Sequence, residues 1–270
     1  MKGGTPRPAD TDNEEYWRDF LTQPDSWMRV GRRVFTHLPS EPRCRMCTAP
    51  FAGPGRPLMR LIGKRPSQAN PNMCNTCQEH MVRHHGGAEV EGAMLFADIR
   101  GSTSLAERMT AAEFHDLLDR FYRVASQAVF EHDGIVDKFV GDELVAHFFP
   151  GFAGERYVSR AVDAARALLQ STGHAQPGGP WVPVGAGVHA GKAWFGAVGG
   201  GTHVELTAVG DAVNTAARLA SSAGAGEILV STDAASAAGV DSTSERRSLQ
   251  LKGKSEPIEV VVLGVSSDGG

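Results

Sequence analysis

Phe96-Ala97-Asp98-Ile99-Arg100-Gly101-Ser102-Thr103 ends a short apolar run, residues 93–97, in a carboxylate followed by a glycine-bearing turn. An apolar run of that length suits a strand buried on both faces. Downstream, Phe114, Leu117, Leu118, Phe121, Ala125 and Ala128 recur at helical spacing, so a strand feeds a long helix. Lys138-Phe139-Val140-Gly141-Asp142 closes a second apolar run, 135–140, and a third follows at 144–149. The three residues between these runs read as a hairpin turn with Asp142 at its tip. Further along, the pattern predicts a helix over 161–169 and a strand pair at 182–189 and 193–198. A helix bearing Asn214 and Arg218 and strands at 227–230, 248–251 and 258–263 complete it. Mixed hairpins and helices in one unit imply an α+β fold, a sheet with helices packed on one face.

Asp98 and Asp142 each lie beside a glycine. Taken singly, either carboxylate is explained as a helix cap or a turn residue. Taken together they are what a pair of Mg²⁺ ions needs, and glycine lets a phosphate chain approach the backbone. Free amides after Asp98, in Gly101, Ser102 and Thr103, favour phosphate at the opening of a helix. In Thr207-Ala208-Val209-Gly210-Asp211-Ala212-Val213-Asn214-Thr215-Ala216-Ala217-Arg218, Asn214 and Arg218 fall four residues apart on one helix face. Such a pair can grip a phosphorus centre as charge moves onto its oxygens.

This triple pattern resembles the class III nucleotide cyclases, over roughly residues 90 to 265. The resemblance implies a ferredoxin-like sheet. It also implies that Asp98, Asp142 and the Ile99 carbonyl hold two Mg²⁺ or Mn²⁺ ions. Lys138 and Thr207 match the two base-reading positions, and this pair implies ATP, because guanylate cyclases usually carry Glu and Cys there. Asn214 matches the residue that orients the ribose and Arg218 the one that binds the α-phosphoryl group. Lys252 matches a lysine that contacts the triphosphate. In this family the metal aspartates come from one subunit and the base-reading, transition-state and triphosphate residues from the other. One copy of each set per chain therefore implies a homodimer with two composite sites.

The first third of the chain differs. Asn13 to Leu21 read as a short amphipathic helix, and residues 39–71 are punctuated by Pro and Gly. All four cysteines lie here, as Cys44-x-x-Cys47, 26 intervening residues, and Cys74-x-x-Cys77. Two thiolate pairs favour a closed tetrahedral Zn²⁺ site in a small zinc-ribbon-like module. An iron–sulfur cluster or redox dithiols are the alternatives. His80, His84 and His85 are near, but four Cys complete the ligand count. Arg56, Arg60, Lys64 and Arg65 form a basic cluster that reads as a solvated face, or as a contact for nucleic acid or an acidic partner. Gly86-Gly87 reads as a hinge. The expected division is a tail and short helix (1–37), a metal-binding module (38–87), a cyclase catalytic domain (88–265) and a tail (266–270).

The 270 residues carry a formal charge of −4 and are 41% hydrophobic, which suits a globular core and supplies no broad basic field for nucleic acid. No apolar run approaches the about 18 to 20 residues that cross a bilayer, and the N-terminus lacks a signal-peptide core. A cytoplasmic protein with no membrane partner is expected. Two other readings compete with an adenylate cyclase. One is a zinc-module interaction or nucleic-acid-binding protein whose cyclase-like part is an inactive dimerisation scaffold. The other is a cyclase for another nucleotide, since Val140-Gly141-Asp142-Glu143-Leu144 superficially resembles the diguanylate cyclase signature.

Overall fold

The structure is a computed structural model that describes residues 8–23, 26–38, 41–200, 203–241, 243–251 and 256–265. The chain divides into two compact units. One comprises Gly92–Phe148, Glu155–Gly191 and Asp211–Gly270, the other Met1–Glu91, Phe149–Gly154 and Lys192–Gly210.

Among the described residues eight strands form one sheet. They are β1 (Gly86–Ile99), β2 (Ile135–Val140), β3 (Glu143–Phe148), β4 (Val184–Gly200), β5 (His203–Val209), β6 (Ile228–Ser231), β7 (Arg246–Leu249) and β8 (Ile258–Leu263). Their order is β2-β3-β1-β4-β6-β8-β7, with β5 paired to β4. β4 and β6 run parallel, while β2/β3, β1/β3, β4/β5, β6/β8 and β7/β8 are antiparallel.

In the first unit, alternate residues of β1 and β3 (Ala93, Leu95, Ala97; Leu144, Ala146, Phe148) are buried against α6 (Ala111–Glu131), α8 (Tyr157–Ser171) and α10 (Thr232–Ala238). That is the period-two signature of a strand presenting one face to helices. α6 starts at a reciprocal capping box, Thr110 with Glu113, and buries Phe121, Ala125, Ala128 and Val129. Its spacing was legible in advance, as was the β2/β3 hairpin. α9 (Asp211–Ser222) buries Ala212, Thr215, Ala216, Leu219 and Ala220. Small residues there let the helix backbone ride close to the sheet: a Cβ on Gly187 of β4 would lie 2.2 Å from the Ala220 amide nitrogen.

The second unit contains α1 (Pro8–Thr22), α2 (Ser26–Thr36), α3 (Gly55–Leu61), α4 (Asn75–Arg83), α7 (Pro150–Ala153), β5 and the adjoining parts of β1 and β4. Trp17 and Leu21 are fully buried, as the amphipathic spacing implies, and the Trp17 indole donates to the His84 carbonyl at 2.6 Å. α2, α3 and α4 fall in stretches where no helix was expected.

Two expectations are corrected. Gly86-Gly87 is no hinge: both residues lie in β1, and a Cβ on Gly87 would meet the Phe195 carbonyl oxygen at 2.3 Å. The glycines are there because two backbones nearly touch. Likewise the expected strand pair at 182–189 and 193–198 is a single strand, β4, running through Gly191-Lys192. Glycine need not mark a turn where a neighbouring chain has to come close.

Candidate active site and cysteine centre

β1 ends at Ile99 and β2/β3 turn at Gly141-Asp142, and the antiparallel register places Asp98 directly opposite Glu143. Register alone therefore brings the two sequence-nominated carboxylates, Asp98 and Asp142, to one sheet end, close enough for Asp142 to raise the Asp98 carboxyl. Gly141 takes a left-handed conformation at φ 61°, which lets the chain reverse within two residues. The turn is tied down by the Tyr122 hydroxyl of α6, which donates to the Gly141 carbonyl, and Tyr122 stacks on Phe139 with ring centroids 4.0 Å apart.

Burial, then the Asp142 carboxyl and nearby Glu143, push the Asp98 carboxyl up to about 7, against the lowering pull of Arg100. Burial and Asp142 also raise Glu143. Crowded, half-buried acidic oxygens at a strand end are the donor set of a hard divalent cation. Arg100 pairs with Asp98 and also donates to the α9-terminal carbonyls of Ser221 (3.2 Å) and Ala223 (3.4 Å). Neither Arg100 nor Glu143 stood out in the sequence as a site residue. Adjacency to Asp98 and Asp142 was the available signal.

After Ile99, which is buried, Gly101 is left-handed (φ 69°) and caps α5 (Ser102–Arg108), so Ser102 and Thr103 open that short helix. Lys138 is one-third exposed and pairs with Asp137 at 3.4 Å. Asp137 in turn holds Nε2 of His147 at 3.0 Å, and both of those side chains are almost fully buried. A β-bulge between Val136 and Lys138 produces this arrangement by slipping the ladder one residue. The acid and imidazole beneath Lys138 went unnoticed in the sequence, where His147 reads as an ordinary strand residue.

Asn214 is exposed and Arg218 half-exposed, one turn apart on α9, on the face away from its buried alanines. Thr207 lies in the other compact unit, in β5 opposite Gly196, rather than leading directly into the helix. Lys252 lies outside the described residues.

The four cysteines converge. Cys44, Cys47, Cys74 and Cys77 are buried, with all four sulfurs within 4.8 Å of one another, a donor set that fits one tetrahedral metal ion. Cys44 and Cys47 sit on a tight turn closed by the Thr48 amide donating to the Cys44 carbonyl (2.9 Å), whereas Cys74 caps α4 and Cys77 lies in its first turn. The Cys74 amide points at the Cys44 sulfur (3.2 Å) and the Cys77 amide at the Cys74 sulfur (3.4 Å). Lys64 places its ammonium 3.7 Å from Cys47 and 3.8 Å from Cys74. Hydrogen bonds from its three sulfur neighbours hold the Cys74 thiol far below its ordinary range and Cys47 is lowered to about 7, chiefly by Cys44, whereas Cys44, chiefly by burial, and Cys77, chiefly by Cys44, are pushed up. The lowered thiols bind metal as thiolates at neutral pH.

Comparison with known proteins places this geometry. The family described as "Adenylate and Guanylate cyclase catalytic domain" matches residues 88–264. An uncharacterised protein of Mycobacterium tuberculosis is 35% identical over 185 residues, 66% of this chain and 34% of that protein. An adenylate cyclase of Anabaena cylindrica is 34% identical over 131 residues, 47% of this chain and 26% of that one. The chain thus spans about a third or less of these curated relatives. Among solved structures, the guanylyl cyclase Cya2 is 26% identical, with a TM-score of 0.59, over 68% of this chain and 96% of its own. The adenylyl cyclase CyaB from P. aeruginosa is 28% identical, with a TM-score of 0.58, over 68% and 99%. Among the described residues no helix is long and apolar enough to cross a membrane.

Proposed function

Since the chain belongs to the adenylate and guanylate cyclase family, whose catalytic domains use divalent metal ions and generally act as dimers, we propose that it converts ATP to 3′,5′-cyclic AMP and pyrophosphate in a homodimer. The observation that carries the reading is the meeting of Asp98 and Asp142 at one sheet end, with Asp98 raised to about 7.

Asp98, Asp142 and the Ile99 carbonyl would hold two Mg²⁺ or Mn²⁺ ions, which would supply Lewis-acid chemistry to the ribose 3′-hydroxyl and to the leaving pyrophosphate. The 3′-oxygen forms a bond to the α-phosphorus as the bond from that phosphorus to the bridging oxygen breaks, and the hydroxyl proton passes to solvent. Asn214 orients the ribose and Arg218 stabilises charge on the α-phosphoryl oxygens. Lys252 and the amides of Gly101, Ser102 and Thr103 bind the phosphate chain. Lys138 donates to the adenine ring acceptor and Thr207 completes base reading; guanine carries a proton on that ring nitrogen, which therefore accepts no bond from Lys138. The two residue sets belong to opposite subunits in each composite site. The division into an N-terminal metal module (38–87) and a catalytic domain (88–265) is part of this proposal, with one Zn²⁺ held by Cys44, Cys47, Cys74 and Cys77.

Product analysis with ATP and GTP tests the substrate; cyclic GMP as the dominant product refutes it. Mixing inactive Asp98→Ala and Arg218→Ala subunits restores turnover if sites are shared. Exchange of subunits without recovery refutes sharing.

A further inference from the structure

α3 is pinned from one side by Met59, which is 1% exposed, while its other side stands in solvent. Leu58, Leu61 and the following Ile62 are 48, 84 and 54% exposed. Three large aliphatics exposed within five residues form a protruding apolar tip, unlike the scattered single residues normal on a surface.

The surrounding charge is of one sign. Arg56, Arg60 and Arg65 are exposed in and just beyond this helix, and with Lys64 they line a concavity of about 140 Å³ that also includes Phe51 and Met59. Between Glu41 and Glu79 the chain has no acidic residue at all, although its net charge is −4. The segment is held in place: the Lys64 amide donates to the Met59 carbonyl (2.8 Å) and the Asn75 amide to the Arg65 carbonyl (2.9 Å), beside the cysteine cluster. Lys64 itself is committed to Cys47 and Cys74, which leaves the three arginines to face an anion.

We propose that this tip docks on an anionic lipid surface. Leu58, Leu61 and Ile62 enter the boundary between headgroups and acyl chains, and Arg56, Arg60 and Arg65 bind lipid phosphates. Apolar insertion ringed by cations is the chemistry of peripheral membrane contact. A nucleic-acid backbone would use the arginines but gain nothing from three aliphatic side chains. A two-fold contact with a second copy would set the arginines against themselves. The expectation of no membrane partner came from the lack of a spanning run, and a peripheral contact needs none.

The test is co-sedimentation of the full chain with phosphatidylcholine vesicles, with or without about one-third phosphatidylserine. Tighter binding to the anionic vesicles is expected, weakening with salt and by about fivefold for each of Arg56→Gln, Arg60→Gln and Arg65→Gln. Leu61→Asp, at a site 84% exposed, should lower binding about tenfold with an unchanged melting temperature, and Leu61→Ser should repeat the loss without added charge. Equal binding to both vesicle types, or none, overturns the proposal. So does binding to duplex DNA that needs the arginines and ignores Leu61→Asp, or a change of oligomeric state in Leu61→Asp with vesicle binding intact.

Discussion

Gly187→Ala offers a direct measure of how closely the helix that carries Asn214 and Arg218 must be held. Gly187 pairs with Leu229 in the parallel β4/β6 ladder, beneath residues 216–220 of α9, the turn that carries Arg218 and follows Asn214. A Cβ there would lie 2.2 Å from the Ala220 nitrogen, 2.7 Å from the Ala216 oxygen and 2.8 Å from the Leu219 carbonyl carbon, all backbone atoms with no rotamer to move. Restoring ordinary contact near 3.4 Å forces α9 back by about 1.2 Å. Overpacking of this kind costs about 1–3 kcal/mol, and each kcal/mol lowers the melting temperature by about 2–4 °C in a chain of this size. The larger effect is on turnover, because a displacement of about 1 Å in groups that position a transition state costs about 10²-fold. Turnover of ATP with Mn²⁺ should therefore fall about a hundredfold in a folded variant, while cation binding at the Asp98/Asp142 end stays intact. A folded Gly187→Ala protein within threefold of wild-type turnover would refute both the close approach and the role given to α9.

Asp137→Asn should lower the melting temperature by several degrees, since it weakens the buried contact to His147, worth about 1.5–3 kcal/mol to a charged partner, and the partly exposed one to Lys138; it should also raise KM for ATP more than it lowers kcat, and an unaltered KM would separate Asp137 from Lys138. Because Asp98 is raised to about 7, a cation competes with its proton below that pH, so Mn²⁺ affinity by calorimetry should weaken towards tenfold per unit below pH 7 and level off above it. The same shift has a definite sign for stability: the metal-free folded state holds a proton that the unfolded state has released between about 3.8 and 7, so stability falls as pH rises through that window, and Asp98→Asn should remove the slope. Elemental analysis should find one zinc per chain, and chelation or Cys77→Ser should raise hydrogen exchange first within residues 41–85; equimolar iron with visible absorption would replace zinc by a cluster.

Periodicity made much of the fold legible. α6 announced itself through about four turns of consistent spacing from Phe114 to Ala128, and the β2/β3 hairpin through two apolar runs about Gly141-Asp142. Glycine misled where its reason was closeness of another strand, at Gly86-Gly87 and within β4, because composition carries no record of what passes alongside. α3 and α4 were hidden by prolines and by a segment whose burial centres on methionine and cysteine in place of a periodic aliphatic face. For the candidate site, Asp98 and Asp142 could be nominated because in each of two short motifs a carboxylate stands at the end of an apolar run near a glycine. Arg100, Glu143 and the Asp137–His147 pair depend on register and on a bulge, which are properties of pairing rather than of any local stretch.

The bond from Tyr122 to Gly141 and its stack on Phe139 join the turn beneath Asp142 to the middle of a 21-residue helix. A turn left to itself would sample many shapes, and a cation arriving there would have to suppress them. Here that ordering entropy is given up during folding, so less of the ion's binding free energy is consumed in fixing Asp142. If Asp142 ligates the cation, the same tether would make α6 a lever: a contact on its exposed face that tilts the helix would be felt at the turn, and remote surface changes would tune cation affinity without touching a ligand.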